Sequence, residues 1–476
     1  MKLTHKSPVV LAFMLTLLAG CMLGPDYVKP ETAKPIAYKE AEGWKVAEPK
    51  DVAIHEKWWE LFNDAQLNAL EEQVEISNQN IVAVKARFRQ AQALVASSRS
   101  AYFPLITGTA SKTRNQPSGN STNSINGPAI RDTNSLSLNL SWEADIWGKI
   151  GRTVEASQAN FEATASDIAA ARLSAQAELA QNYFSLRIAD NQKKLLDETV
   201  IDYQKSMEVT QNRYKAGVVG KTDLVQAETI LKSTQAQASD LGIQRAQFEH
   251  AIALLIGKAP SELTIKPELL SSTTPSIPAP SIPLNVPSVL LERRPDIAAA
   301  ERRVAAANAE IGVAKAAFFP SLTLSALAGF QSNNLSDLLS IPSRIWSLGS
   351  SLAIAVFDGG QRRALSDQAI AVYDENVAMY RQTVLTGFKE VEDSLVALRV
   401  LQEEQKLQVE SLQAARLSQS YTINQYKAGV VTYLDVINVN NIALNNERTL
   451  INLQGNQMLN SVLLIKALGG GWEVKK

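Results

Sequence analysis

At 476 residues the chain is long enough for about three domains, and its 47 Lys and Arg are balanced by 48 Asp and Glu. That balance leaves no basic footprint for nucleic acid. A single cysteine, Cys21, excludes an internal disulfide framework, and three histidines without an HExxH, phosphate-loop or Cys/His pattern give no ground to expect a metal, a cofactor or an enzyme.

The first twenty residues read as an address. Lys2 and Lys6 precede an apolar run, Pro8 to Leu18, too short for a resident bilayer span. Leu18-Ala19-Gly20-Cys21 then matches a lipoprotein signal, in which Cys21 takes a diacylglycerol on sulfur and an acyl chain on the new amino terminus. At about 0.8 kcal/mol per buried methylene, several chains would anchor the protein firmly. Residue 22 is Met rather than the Asp that retains lipoproteins at an inner membrane, so the expected destination is the periplasmic face of an outer membrane.

Pro25, Pro30, Pro35 and Pro49 predict an extended arm, and Trp58-Trp59-Glu60-Leu61-Phe62 a packing plug that docks it. Asp64 to Ala101 lacks Gly and Pro and reads as one helix. A strand over Leu105–Arg114, a polar loop over Asn115–Asp132 and a second strand follow. In the second strand Leu136, Leu138, Leu140, Trp142, Ala144 and Ile146 share one face, and Ser137, Asn139, Ser141, Glu143 and Asp145 the other. Period two with charge on one side predicts a strand between an apolar and a wet environment. Arg152 to Ala216 contains neither Gly nor Pro over 65 residues, roughly 100 Å of helix. It ends at Gly217, with Lys215 at the negative end of the dipole. A return helix carries Asp223 in its first turn and reaches Ile256-Gly257. Pro260 to Pro287, with seven prolines in 28 residues, predicts a semi-rigid connector.

The plan then repeats. Tyr-Lys-Ala-Gly-Val-Val at Tyr214–Val219 returns at Tyr426–Val431, with Asp435 where Asp223 stood. Ala101-Tyr102-Phe103-Pro104 returns as Ala317-Phe318-Phe319-Pro320, and Ile256-Gly257 as Leu468-Gly469. One unit of about 210 residues is written twice. Leu322, Leu324, Ala326, Ala328 and Phe330 share a strand face, as do Trp346, Leu348, Ser350, Leu352, Ile354 and Val356. The chain therefore divides into a signal peptide at 1–20, a lipidated arm at 21–62, a first repeat at 63–257, a connector at 258–292, a second repeat at 293–469 and a tail at 470–476. Four strands cannot close a barrel, for which about eight are needed, so a membrane reading requires several copies. A soluble sandwich with one face on a core is the competing use of these strands. Glu390 and Glu392 read as solvated charges, Pro295 as a helix start, and Arg293 and Arg294 as structural ion-pair partners.

Several motifs in order carry a resemblance: Leu18–Cys21 with Gly24-Pro25-Asp26-Tyr27, Trp142–Gly148, Leu291–Ile297, Ala316–Leu324 and Ala467–Trp472. Over essentially the whole mature chain the sequence resembles the outer-membrane efflux proteins, the TolC-like family, in its lipidated OprM/NodT-type branch. The resemblance implies an α+β membrane protein. It implies a homotrimer with a twelve-stranded transmembrane β-barrel, four strands per chain, continued by a long periplasmic α-helical barrel. It implies an equatorial belt made by the connector and both termini, outer-membrane lipids around the barrel, and a periplasmic adaptor and an inner-membrane pump of RND type as partners. The function implied is a passive, gated duct exporting drugs or other toxic small molecules. A structural or adhesive trimeric lipoprotein without transport is the alternative.

By the same resemblance Tyr214, Lys215, Gly217, Tyr426, Lys427 and Gly429 form adaptor-docking hairpin tips. Asp435, Asn438, Tyr426 and Asp223 fall at the periplasmic entrance. Asp435 matches one position of an acidic ring that favours cations in relatives. Asn438 stands where several relatives carry a second acid, which weakens that preference. Asp223 and Tyr426 match positions that hold the entrance shut. Asp223 and Asp435 could equally cap their return helices. No Met or His ladder argues for a metal cargo.

Overall fold

A computed structural model of the chain describes residues 22–32, 35–40, 57–116, 118, 130–267 and 293–471. Cys21 and Trp472 lie outside them. In chain order the elements are α1 (Ala65–Ser77), α2 (Gln79–Ser100), β1 (Leu105–Asn115), β2 (Arg131–Ala144), α3 (Lys149–Lys215) and α4 (Lys221–Leu255). Then come α5 (Pro295–Ala316), β3 (Ser321–Ser332), β4 (Arg344–Ala353), α6 (Gln361–Lys427) and α7 (Tyr433–Ala467). The chain forms two compact units, one from Met1–Glu31, Arg87–Thr164 and Ala299–Tyr380, the other from Thr32–Ala86, Ala165–Ala298 and Arg381–Lys476. Each unit draws on both copies of the repeat.

The first unit holds one antiparallel sheet in the order β1-β2-β3-β4. The register pairs Gly108 with Leu138, Leu138 with Ala328, and Ala328 with Trp346. The alternating residues of all four strands thus fall on common faces. One carries Ile106, Leu136, Leu138, Trp346, Leu348 and Leu352, all exposed. The other carries Ser137, Asn139, Ser141, Thr323, Ser325 and Ser351. The edges of the sheet are β1 and β4. The face expected to run on to Ile354 and Val356 stops at Ala353, because Ala353 pairs with Ser321 and β3 supplies no residue beyond it.

In the same unit the Gly24-Pro25-Asp26-Tyr27 segment is sewn between α3 and α5. The buried Arg152 guanidinium donates to the Leu23 carbonyl at 3.0 Å and to Asp26 Oδ1 at 3.0 Å. Asn308 donates to the Pro25 carbonyl at 2.9 Å, and the Tyr27 hydroxyl donates to Glu301. The Tyr27 ring packs on Ala159, Ala305 and Ala306.

The second unit contains residues 165–215 of α3 and 381–427 of α6. The helices α3 and α6 are uninterrupted over 67 residues each, and α4 and α7 run 35 residues each. Trp58, Trp59 and Phe62 are buried as expected of a plug, with the Phe62 ring tilted against that of Phe184 at 4.9 Å between centres. The helix expected to run unbroken from Asp64 divides at Asn78, whose ψ is 118°. Its Oδ1 accepts the amides of Asn80 and Ile81, which starts α2, and its Nδ2 donates to the Leu255 carbonyl at 2.7 Å. An asparagine with a tertiary partner thus ends a helix where neither Gly nor Pro marks the place.

Pro295 opens α5 as expected, and of the two arginines before it Arg294 is the buried one. It donates to Asp296, to Glu390 at 2.5 Å and to the Ala467 carbonyl at 3.2 Å. The expectation that Glu390 and Glu392 are merely solvated is therefore corrected. Glu392 accepts the backbone amides of Lys39 at 2.8 Å and Glu40 at 2.9 Å, which fixes the arm on α6. The start of the connector is held similarly: the Ile265 amide donates to Glu249, and Arg245 donates to the Ile265 carbonyl, both at 2.5 Å. Among the described residues no helix is long and apolar enough to cross a membrane.

Candidate functional site at the hairpin tips

Both helical hairpins turn in the same way, because the same hexapeptide makes the turn. Gly217 and Gly429 take φ of +72° and +79°, a left-handed conformation that a side chain disfavours. Val218 donates back to the Arg213 carbonyl and Val430 to the Gln425 carbonyl, each at 2.9 Å, which closes the helix ends in Schellman fashion. Tyr214, Lys215, Gly217, Lys427 and Gly429 are exposed at these tips; Tyr426 is only partly exposed.

The return helices begin differently. Thr432 caps α7 and forms a reciprocal box with Asp435, whose Oδ2 accepts the Thr432 amide at 2.9 Å and its hydroxyl at 2.7 Å. The Thr432 hydroxyl and amide hold the Asp435 carboxyl below the usual range. In the first copy Gly220 stands at the cap and has no side chain to offer. Asp223 is partly exposed in the first turn of α4, and Asn438 is exposed on α7. Asp435 is thus a capping residue in this structure as well as a charge near the tip, and Asn438 adds no charge beside it.

The two hairpins are joined just behind the tips. Tyr433, 3% exposed, shares a hydrogen bond with Ser206 of α3 at 2.9 Å. Burial raises the pKa of its phenol, while bonds from Ser206 and Thr210 act in the opposite direction. The Tyr426 ring lies 5.6 Å from that of Tyr433, with the Arg213 guanidinium over its face at 4.8 Å. Ala227, Val436, Met207, Ile423 and Ile437 complete the apolar contact. The hydroxyls of Tyr203 and Tyr426 are buried without a hydrogen-bond partner, and burial pushes the Tyr203 phenol up to about 12. A cleft of about 540 Å³ runs behind them between α3, α6 and α7. Sequence reasoning singled out Tyr426 but missed Tyr433, Ser206, Arg213 and Thr432. The available signal was the divergence of the copies: Gly220-Lys221 in one is Thr432-Tyr433 in the other.

No arrangement of catalytic groups accompanies these contacts, and among the described residues no cluster of His, Cys, Asp or Glu could hold a metal. An exposed apolar sheet face backed by a polar one suits a sheet that stands between lipid and water.

The chain belongs to the outer membrane efflux protein family, whose model matches residues 70–258 and 286–470. It is 28% identical over 469 residues, 98% of this chain and 99% of the relative, to the cation efflux system protein CusC of Escherichia coli O6:H1. It is 30% identical over 473 residues, 98% of each chain, to the solvent efflux pump outer membrane protein SrpC of Pseudomonas putida. The fold is similar to the solved outer-membrane channel OprN, with a TM-score of 0.87, 31% identity, and coverage of 95% of this chain and 100% of that one. The chain is an outer-membrane efflux channel that works as a passive duct.

Proposed function

We propose that three copies of this chain close a twelve-stranded barrel continued by a helical tunnel, and that this trimer is the outer-membrane exit of a tripartite pump. The observation that carries the reading is the sheet itself. It has two unpaired edges and an exposed apolar face. Open edges in lipid leave backbone groups unsatisfied at several kcal/mol each, so the sheet must close with others like it. The apolar face turns to lipid and the Ser, Thr and Asn face to water. The double match of the family model agrees with two repeats, 63–257 and 293–469, each giving two strands and one hairpin.

Cys21 carries the acyl chains that add an anchor to the barrel, leading into the arm at 21–62. The connector at 258–292 and the tail at 470–476 complete a belt around the tunnel. The six tips of a trimer present Tyr214, Lys215, Gly217, Tyr426, Lys427 and Gly429 to a periplasmic adaptor, and an inner-membrane pump of the RND type supplies the energy. Asp435 lines the narrowest part of the entrance, with Asn438 behind it and Asp223 and Tyr426 bracing it. The cargo is a small toxic molecule. Relatives named for cations and for solvents match over nearly their full length, which leaves selection to the pump.

The test is conductance of the purified protein in planar bilayers. Channels of a single conductance class, changed in size or cation preference by Asp435→Ala, are expected. An assembled trimer that never conducts would favour a structural or adhesive role. Loss of palmitate incorporation in Cys21→Ser checks the anchor separately.

A further inference from the structure

The apolar face of the sheet differs between its two ends. β1 follows α2, β2 leads into α3, β3 follows α5 and β4 leads into α6, so one end of every strand joins a helix. At the other end β1 stops, β2 starts, and β3 turns into β4. The register fixes which side chains share the apolar face there. Ala110, Leu136, Phe330 and Arg344 form one row across it. Lys112, Asn134 and Ser332 form the next row, and Arg114 and Asp132 the one beyond. These rows contain every charged strand residue of the face: Lys112, Arg114, Asp132 and Arg344. The end that joins the helices carries Trp142, Ala144, Leu322 and Leu352 on the same face and no charge.

The spacing puts the cations where an apolar band ends. From Ala144 to Leu136 the strand advances about 27 Å, or about 21 Å along the membrane normal at a tilt near 40°. The apolar band of such sheets is about 25 Å tall, so Arg344 and Lys112 fall at its margin. Phe330 and the exposed Trp346 stand beside Arg344 on the same face, as the aromatic girdle of a lipid-facing sheet does. Lys112, Arg114 and Arg344 are all exposed. Arg114 has a partner in Asp132 at 3.7 Å. Among the described residues neither Lys112 nor Arg344 has an acid within ion-pair distance. The other acid at this end, Asp337 in the β3–β4 loop, already accepts from Asn334 and Ser336.

A cation at the edge of hydrocarbon is costly unless an anion meets it there, and phosphate is the anion that lipid brings; guanidinium pairs with it through two parallel bonds. Lys112 and Arg344 lie on the two edge strands, three strand spacings or about 14 Å apart, too far for one phosphate to serve both. We infer that this end of the sheet docks the phosphorylated glycolipid of an outer leaflet. Lys112 and Arg344 take its separate phosphates, and the apolar face at Phe330 and Trp346 takes its acyl chains. The inference rests on the outer-membrane reading above, which puts the helices in the periplasm and so this end of the strands in the outer leaflet. A phospholipid of the inner leaflet meets the uncharged end instead.

The experiment measures binding of fluorescently labelled lipopolysaccharide to the detergent-purified full chain by polarisation. Lys112→Gln and Arg344→Gln should each weaken it about fivefold, and the pair about 25-fold, the worth of one basic residue apiece at an anionic membrane surface. Lys112→Arg combined with Arg344→Lys keeps both charges and should keep the affinity. Arg131→Gln removes a cation from the same end but from the polar face, where Arg131 pairs with Asn115, and should leave binding unchanged. Wild-type affinity in the double Gln variant, or an equal loss in Arg131→Gln, overturns the inference. So does binding of dephosphorylated lipopolysaccharide, or of phosphatidylglycerol, as tight as that of the intact glycolipid. Planar-bilayer conductance of the same preparations separates this from the reading beneath it. A protein that forms no channels loses the membrane placement itself. Normal channels with unchanged glycolipid binding in the double variant remove only the lipid site.

Discussion

A β-carbon built on Gly24 would fall 2.5 Å from the Cα of Gly312, so the N-terminal strap and α5 meet backbone to backbone. A β-carbon on Gly312 would in turn stand 2.7 Å from both Arg152 Cγ and the Leu23 carbonyl oxygen. Gly312→Ala is expected to lift the strap off α5 at a cost of roughly 1–3 kcal/mol. The checks are a lower thermal midpoint and faster protease cleavage between residues 22 and 27. An unchanged cleavage rate would mean that the bonds of Arg152 and Asn308 and the contacts of Tyr27 hold the strap without the glycine contact.

The bond from Arg294 to Glu390 should behave as one bond of a planar fork. Arg294 is 7% exposed and serves two carboxylates and the Ala467 carbonyl. Lysine presents one compact ammonium and cannot reach all three. Arg294→Lys should therefore lose about as much stability as Arg294→Met, on the order of 2–3 kcal/mol once the partial exposure of Glu390 is allowed for. Thermal unfolding of the purified protein distinguishes this from a simple loss of charge, in which lysine would rescue.

Glu392 receives two amides of the arm, one on each carboxylate oxygen. Glutamine keeps one acceptor and turns the other into a donor facing an N–H. Glu392→Gln is expected to release residues 35–40, read as earlier proteolysis there with the rest of the protein intact.

Glu71 is fully buried, neither of its carboxylate oxygens has a hydrogen-bond partner, and desolvation raises its pKa well above the usual range. A raised folded-state value means that the folded chain holds this proton longer than the unfolded one. Stability should then be greatest below the ordinary carboxyl value of about 4.3 and decline as pH rises from there toward the folded pKa. Glu71→Gln removes that decline, so the variant should gain on wild type toward neutral pH. Thermal midpoints measured across pH 4 to 8, roughly the window in question, would show the variant rising relative to wild type as pH increases if the idea is sound and parallel curves if it is not.

Asp435 behaves in the opposite sense. Its folded pKa is depressed by the Thr432 hydroxyl and amide, so the contribution of the cap is present above the ordinary value near 3.9 and is lost as pH falls through the folded one. Thr432→Val removes the hydroxyl and should move the midpoint of acid-induced loss of cation preference upward, toward the ordinary value. Thr432→Ser should restore it. The readout is reversal potential under a salt gradient as a function of pH.

Much of the architecture could be read along the chain. Period-two alternation placed the strands, an absence of Gly and Pro marked the long helices, and a glycine in a duplicated hexapeptide marked each tip. These are local properties: a pleat has period two whatever it packs against, and a left-handed turn favours glycine in any context. The duplication added order at a longer range, because a repeated unit must repeat its elements. What could not be read was set by partners distant in sequence. Asn78 breaks a helix because Leu255 lies beside it. Glu390 and Glu392 are ordinary helix-surface residues until Arg294 and the arm reach them. Tyr433 is one more aromatic near a turn until Ser206, on another helix, supplies its bond. Backbone periodicity is written residue by residue, whereas the burial and pairing of a polar side chain depend on what the fold brings opposite it, and only the folded chain settles that.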